Sequence, residues 1–236
     1  MGEPLTWMRL RQVAIVVFDL ESTVETLGDA LGLKVAFRDP SVGAFGLRNA
    51  VLPVGSQFVE VLSPTRAGTA AGRQMDRAGG EAGYMVIMHT DEHAAARSRV
   101  RDMGVRIAFE ADHGGFQIMQ LHPSDTAGSF LEVDYQPGGD DPEGPWTPAG
   151  PDWQSQVDRS KVDAISALTV SSTNPGATCR RWAEILGVPS NSLSLKVENA
   201  TVNFEQGERE ELVEVLLRPS GAERPATLTF GSVRFS

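Results

Sequence analysis

Two glutamates lie at matching places in an internal repeat of this chain, and they are the residues best suited to carry chemistry. Glu132 follows Glu60 by 72 residues, within the similar segments FLEVD and FVEVL. A carboxylate in such an apolar segment can bind a hard divalent cation or take a proton from a substrate. The alternative is an exposed residue on the polar side of an alternating strand. Their matched positions favour a functional role for both.

Charge and composition exclude several other classes of function. The single cysteine, Cys179, excludes an intramolecular disulfide and a cysteine-based zinc site. The formal net charge of −10 over 236 residues disfavours nucleic acid and anionic membrane surfaces as partners. The longest apolar run near the N-terminus, Val13 to Phe18, is too short to span a membrane. We therefore expect a cytoplasmic protein with a small-molecule ligand.

The first repeat unit has the predicted order β-α-β-β-β. The apolar, β-branched run Gln12–Phe18 predicts a strand. Ser22 is a candidate cap for a helix that ends at Gly32. A hairpin centred on Asn49 and a last strand at Gln57–Leu62 complete the unit.

The second unit repeats this order. Tyr84–Thr90 predicts its first strand, and Asp91 is a candidate cap for a helix that stops at Gly104. The loop His122 to Gly128 separates the last two strands of the unit. Its three later strands are predicted at Val105–Phe109, Phe116–Leu121 and Ser129–Tyr135.

A third unit follows a segment rich in proline, glycine and aspartate, which we define as the linker, residues 137–160. Trp146 and Trp153 of the linker are too apolar to remain in water, so at least one should pack against a module. Beyond the linker, Ile165–Ser171 predicts a strand and Pro175 the first turn of a helix. The tetrapeptide VEVL at Val213–Leu216 repeats the one that contains Glu60, which assigns it to the last strand of the unit.

These patterns predict an α+β protein of tandem βαβββ modules, two of them paired and a third unpaired. The paired modules, residues 8–66 and 81–136, form one domain over residues 8–136, and the third module covers 161–219. Residues 220–236 form a tail with one possible strand at Thr227–Phe230, so a fourth module is not expected. The unpaired module would expose apolar strand residues, which favours a two-fold homodimer that covers them. These residues are Leu193, Leu195, Val197, Val202, Phe204, Leu212 and Val215.

The chain resembles the vicinal-oxygen-chelate superfamily from about Arg9 to Pro219. The motifs that carry the resemblance are QVAIVV, FVEVLSP and LHPSDTAGSFLEV. This superfamily includes glyoxalase I, methylmalonyl-CoA epimerase, extradiol dioxygenases and the bleomycin- and fosfomycin-resistance proteins. The third motif is most similar to the epimerase and glyoxalase branch, in which an HP-x-DT-x-G loop precedes a glutamate strand.

The resemblance implies a divalent metal site at Gln12, Glu60, Met85 and Glu132. An amide oxygen and two carboxylates suit Mg, Mn, Ni, Co or Zn. Met85 departs from the usual histidine, because a thioether is a soft and weak donor for such ions. The expected ligands are therefore Gln12, Glu60 and Glu132, with a metal that the substitution at Met85 weakens or abolishes.

Met85 and two histidines are predicted to line the cavity rather than to catalyse. His89 shares the strand face of Met85 but lies four residues further along, too far to replace it at the same metal. His122 begins a turn, where its side chain is expected to bond to the backbone.

Two functions remain open from the sequence. The first is a metal-dependent isomerase, epimerase or lyase that acts on a small oxygenated carbonyl compound through an enediolate, with Glu132 or Glu60 as the base. The alternative is a metal-free protein that binds or sequesters a ligand, as in the bleomycin-resistance branch. An extradiol dioxygenase is set aside, because no pair of positions supplies its two histidines. The use of glutathione or coenzyme A cannot be read from the sequence.

Overall fold

The computed structural model describes residues 6–127 and 129–236. In this part of the chain, fourteen strands form two seven-stranded sheets, the first from modules one and two and the second from the rest of the chain. Gly128, at the end of the predicted loop 122–128, lies outside the described residues.

The first sheet contains both predicted paired modules. Its strands are β1 (Met8–Val16), β2 (Leu47–Val54), β3 (Gln57–Pro64), β4 (Ala82–Thr90), β5 (Ile107–His113), β6 (Phe116–Leu121) and β7 (Phe130–Asp134). Their order is β2-β3-β1-β4-β7-β6-β5. The two first strands, β1 and β4, are antiparallel neighbours at the centre, and each has its module's last strand parallel beside it. The glutamate strands therefore flank the central pair.

The helices connect and cover the strands. They are α1 (Leu20–Leu31), α2 (Ala70–Ala78), α3 (His93–Asp102), α4 (Pro123–Thr126) and α5 (Pro175–Leu186). Asp19 rather than Ser22 caps α1, and Gly32 ends it with a φ of 75°, which glycine adopts at low cost. Helix α2, which the sequence analysis did not predict, joins the first two modules. None of these described helices has the length and apolar character required to cross a membrane.

The predicted hairpin around Asn49 is wrong. Residues 40–45 form a 3-10 turn, and β2 runs unbroken from Leu47 to Val54. Asn49 lies within the strand because its side chain is satisfied there. It donates to Glu60 and accepts the backbone N–H of Asp39 at 2.8 Å.

The second sheet repeats the plan of the first. Its strands are β8 (Val162–Ser172), β9 (Ser190–Asn191), β10 (Ser194–Lys196), β11 (Thr201–Gln206), β12 (Glu211–Pro219), β13 (Leu228–Phe230) and β14 (Val233–Phe235). Strand β11 is parallel to β8, as β3 is to β1, and β12 is antiparallel to β8, as β4 is to β1.

The structure differs from the prediction of an unpaired third module followed by a tail. Strand β14 is parallel to β12 and β13 lies beside it, so residues 211–235 form a shortened fourth module without a helix. The VEVL repeat lies in the first strand of this module, not in the last strand of the third. Strands of three residues are too short to show a periodic pattern, which explains why the sequence did not predict the module.

The apolar residues on which the predicted homodimer depended are covered within one chain. Leu193 is 45% exposed, but the others are buried. The buried residues are Leu195, Val197, Val202, Phe204, Leu212 and Val215. The argument for a homodimer thus loses its basis, and the oligomeric state stays a prediction.

The two halves of the chain dock reciprocally through two side-chain amides. Gln57 accepts the backbone N–H of Ile165 at 2.8 Å and donates to its carbonyl at 3.0 Å. Asn199 does the same to Leu10, at 2.9 and 3.0 Å. Leu10 and Ile165 lie in the first strands of modules one and three, so an approximate two-fold axis relates the halves.

Candidate active site

The four residues predicted to converge lie on one face of the first sheet, which we call the cup face. Ala14 of β1 lies opposite both Glu60 of β3 and Met85 of β4, and residues opposite each other in a sheet point to the same side. Gln12 is two residues from Ala14 and shares its face. Glu132 of β7 lies opposite the residue two places after Met85. The strand pairing therefore brings all four to the cup face.

Each glutamate of the cup face is held by a side-chain amide from the neighbouring strand of its own module. Asn49 Nδ2 donates to Glu60 Oε1 at 2.6 Å, and Gln120 Nε2 donates to Glu132 Oε2 at 3.0 Å. The sequence analysis identified neither amide as functional. The available signal was their position, since each precedes its glutamate in the adjoining strand of the repeat.

The Glu60 carboxyl is set for proton transfer near neutral pH. Burial raises its pKa from 4.5 to about 7, and the hydrogen bonds from Asn49 and Gln12 oppose the increase. The negative charge of Glu132 is a further cause that raises the pKa. The two carboxyls therefore interact electrostatically across the cup face, and near neutral pH Glu60 is present in both its protonated and its ionised form.

The second carboxyl is paired with another acid that the sequence analysis missed. Burial raises the pKa of Glu132, and the hydrogen bond with Asp134 opposes that increase. Burial and the adjacent Glu132 charge hold the pKa of Asp134 well above its ordinary value. Asp134 Oδ2 is buried and has no partner among the described residues. Because the charge of Glu132 raises the pKa of Asp134, the two carboxyls do not readily ionise together.

The linker closes part of the cup. Trp146 and Trp153 are each 1% exposed, which confirms the prediction that a linker tryptophan packs against a module. Their rings contact Phe58 with centroids 6.4 and 5.0 Å away, stacked and edge-on respectively. Trp146 Nε1 also donates to Gln12 Oε1 at 2.9 Å. The linker thus reaches the predicted site directly.

This contact fixes the orientation of the Gln12 amide. An indole N–H can only donate, so the amide oxygen must face Trp146. The amide nitrogen then faces Glu60 and donates to its Oε2 at 2.9 Å. A nitrogen of this kind offers no lone pair to a metal.

The donors present therefore do not fit the predicted divalent metal. Gln12 turns its nitrogen toward the site, and Met85 supplies a soft thioether that lies 3.8 Å from Gln120 Nε2. The described residues contain no group of three or more histidine, cysteine, aspartate or glutamate side chains arranged to hold a metal ion.

The surroundings of His89 and His122 indicate packing and capping roles rather than catalytic ones. His89 is buried between Trp7 and Trp146, with ring centroids 4.8 and 5.2 Å away. Burial, with the nearby arginine charges, lowers the pKa of His89 to about 3, so the ring is neutral at physiological pH. His122 Nδ1 accepts the backbone N–H of Ser124 at 3.2 Å and so caps α4, as expected of a residue that begins a turn.

A cleft of about 840 Å³ opens beside Gln120, the residue that holds Glu132. Its volume falls in the range of small-molecule sites. His122 lies at its edge, but Met85 and His89 are not among the lining residues. Its other lining residues include three phenylalanines, three arginines and two glutamates: Phe45, Phe109, Phe130, Arg73, Arg77, Arg209, Glu210 and Glu211.

The family model described as a glyoxalase-like domain matches residues 13–186. None of the curated proteins is significantly similar in sequence to this chain. A hypothetical protein from Staphylococcus aureus has a TM-score of 0.69 and 14% identity, covering 97% of this chain and 98% of its own. That likeness shows that both halves of the fold occur together in another protein.

Methylmalonyl-CoA epimerases are similar to part of the chain. A variant from Streptomyces coelicolor, in complex with 2-nitronate-propionyl-CoA, is 27% identical with a TM-score of 0.49, covering 55% of this chain and 98% of its own. The epimerase from Mycobacterium tuberculosis is 23% identical with a TM-score of 0.47, covering 53% of this chain and 86% of its own. The family model spans most of the chain and the first sheet has the predicted paired modules, so the chain belongs to the glyoxalase-like domain family of the vicinal-oxygen-chelate superfamily.

Proposed function

We propose that this protein is an isomerase, epimerase or lyase that moves a proton at the carbon next to the carbonyl of a small molecule. The observation that carries the proposal is the pair of buried carboxyls, Glu60 and Glu132, each held by an amide and each with a raised pKa. A catalytic acid or base works best when its pKa lies near the working pH. Cytoplasmic location stays a prediction from the sequence.

The two sides of the cup have different roles in this proposal. Ionised Glu60 takes the proton from the carbon, which leaves negative charge on the carbonyl oxygen. In this step the proton of Asp134 passes to Glu132, whose O–H then donates a hydrogen bond to that oxygen, and Gln120 keeps Glu132 in place. Delivery of a proton from Glu132 to the opposite face of the same carbon gives epimerisation. Departure of a neighbouring group with its bonding electrons gives elimination.

The metal-dependent form of this reaction, predicted from the sequence, needs the Gln12 side-chain amide in the opposite orientation. Its amide would have to turn its oxygen toward Glu60, which would place two N–H groups against each other at Trp146. The proposed reaction therefore uses the carboxyls alone, and metal analysis of protein purified without chelator tests the metal-dependent form.

A second function, metal-free binding or sequestration of a ligand, is favoured by Met85. The thioether occupies the place of a good metal ligand and adds apolar surface to the cup face. In that case the buried carboxyls recognise the ligand by hydrogen bonds and transfer no proton.

Deuterium exchange separates the two functions. The protein is incubated in D₂O with 2-oxo acids and with thioesters of branched carboxylic acids, and NMR follows deuterium at the carbon next to the carbonyl. We expect exchange with wild type, a loss of at least about 100-fold in Glu60→Gln, and no change in Glu214→Gln, a carboxylate of the second sheet. Dialysis against EDTA should leave the rate unchanged.

Binding of these compounds without exchange, equal in wild type and Glu60→Gln, would instead establish the sequestering function. Exchange that disappears with EDTA and returns with a divalent ion would establish the metal-dependent form.

A further inference from the structure

Three arginines and two glutamates line the cleft beside Gln120, which leaves a small excess of positive charge in a protein that is acidic overall. Arg73 and Arg77 lie four residues apart on α2, so they project from the same side of that helix. Both line the cleft, in a chain whose formal net charge is −10. Helix α2 therefore brings two positive charges to the wall of the cleft.

The charges of these two arginines are not neutralised by protein carboxylates. Among the described residues, nine salt bridges form, and neither Arg73 nor Arg77 takes part in one. The third arginine of the cleft differs, because Arg209 Nε lies 3.5 Å from Glu211 Oε1. The other glutamate of the cleft, Glu210, accepts hydrogen bonds from Ser172 and Thr173. Arg73 and Arg77 are thus the cleft arginines that form no salt bridge with the described residues.

Both guanidinium groups are oriented but keep free donors. Arg73 Nη1 donates to the carbonyl of Gly68 at 2.7 Å. Arg77 Nη2 donates to Gln74 Oε1 at 2.7 Å, and the buried Gln74 is itself anchored through its amide nitrogen to Gly83 O at 3.1 Å. A guanidinium has five N–H donors, so each arginine keeps enough of them for two parallel bonds to a carboxylate or phosphate.

The cleft also has an aromatic part, formed by phenylalanines. Phe45 is 54% exposed, an unusual state for a large apolar side chain, and its ring packs edge-on against Phe109 at 5.6 Å. Phe130 packs edge-on against Tyr84 at 5.2 Å. A ligand with an apolar body would cover the exposed ring of Phe45.

We propose that this cleft binds an oxyanion, a carboxylate or phosphate, carried on an apolar body, with Arg73 and Arg77 on the oxyanion and Phe45 on the body. Gln120 lines the cleft and also donates to Glu132 at 3.0 Å, and Phe130 precedes Glu132 by two residues on the same strand face. The cleft therefore adjoins Glu132 through Gln120 and Phe130. This inference uses the proposed function only in placing the carbonyl of the ligand at Glu132.

Three small probes test the site by isothermal titration calorimetry: phenylacetate, phenyl phosphate and the neutral phenylacetamide. We expect each anion to bind at least tenfold more tightly than the amide, and the double variant Arg73→Gln/Arg77→Gln to remove that preference. Arg101→Gln, which removes an exposed arginine of α3 outside the cleft, should change nothing. The two anions, compared with each other, show whether carboxylate or phosphate is preferred.

Equal affinity for the amide and the anions in wild type would overturn the inference. So would a double variant that keeps the preference for anions, because both arginines are exposed and their replacement leaves the core intact. Phe45→Ala gives an independent reading, since it should weaken all three probes about equally.

The same titrations in Glu132→Gln separate this inference from the proposed function. Anion preference that persists there while wild type shows no deuterium exchange refutes the proposed function alone. Deuterium exchange without any anion preference refutes the oxyanion site alone.

Discussion

The hydrogen bond from Trp146 to Gln12 gives the sharpest test of how the linker supports the site. Trp146→Phe keeps an aromatic ring against Phe58 but removes the indole N–H that donates to Gln12 Oε1. A buried acceptor left without its partner costs about 1–3 kcal/mol. We expect the free energy of unfolding to fall by the cost of the smaller ring plus this amount.

Trp153→Phe is the matched control. Trp153 is equally buried in the same linker and packs on the same Phe58 ring, but its Nε1 has no partner among the described residues. Its replacement removes ring volume without breaking a hydrogen bond. Urea unfolding followed by far-UV circular dichroism should therefore show Trp146→Phe to be less stable than Trp153→Phe by about 1–3 kcal/mol.

A second measurement follows the chemistry of the site. The Gln12 bond is one of the contacts that lower the pKa of Glu60 against burial. Without Trp146 to hold its oxygen, Gln12 is free to turn away, and the pKa of Glu60 should rise further above about 7. Carbon-detected NMR of the carboxyl measures this. Equal stabilities of the two tryptophan variants, with an unchanged Glu60 pKa, would refute the reasoning.

Two further properties follow from burial and close packing. The pKa of Glu60 is raised from 4.5 to about 7, so protonated Glu60 stabilises the folded state fully below pH 4.5. This stabilisation, up to about 3 kcal/mol, is lost as the pH rises through about 7. Urea unfolding across this range should show the decrease in the free energy of unfolding, and a flat profile would contradict it. A side chain added at Gly83 would collide with the Leu212 carbonyl oxygen of β12, so Gly83→Ala should lower the stability by about 1–3 kcal/mol. Gly43 has open space around it, so Gly43→Ala should leave the stability almost unchanged. Thermal unfolding of the two variants tests this difference.

The sequence predicted the parts of the fold that follow from local pattern. The first strands of three modules are continuous apolar runs, and two helices end at Gly32 and Gly187, both with left-handed backbone. The matched spacing of Glu60 and Glu132 placed them on one face, because strand pairing preserves the register of a repeat. These features depend on residues close together in the chain or on the repeat itself.

The parts that were missed depend on contacts between distant residues. In sequence, Asn49 and Gln120 look like the polar residues of any half-exposed strand, and only the fold shows that their amides hold the glutamates. Trp146 was expected to pack, but its bond to Gln12 joins residues 134 positions apart. Helix α2 has only nine residues, too few for a clear helical period.

The reciprocal docking of Gln57 and Asn199 makes the chain a covalently tethered pair of two-module halves. A tether fixes the effective concentration of one half for the other, so their association does not depend on how much protein is present. The two halves are then free to diverge, since the tether guarantees one of each in every molecule. By strand register, Ala167 and Asn203 of the second half occupy the places of Gln12 and Glu60. The first half keeps Glu60 and Glu132, whereas the second half packs against it without an equivalent site, so a ligand should bind once per chain.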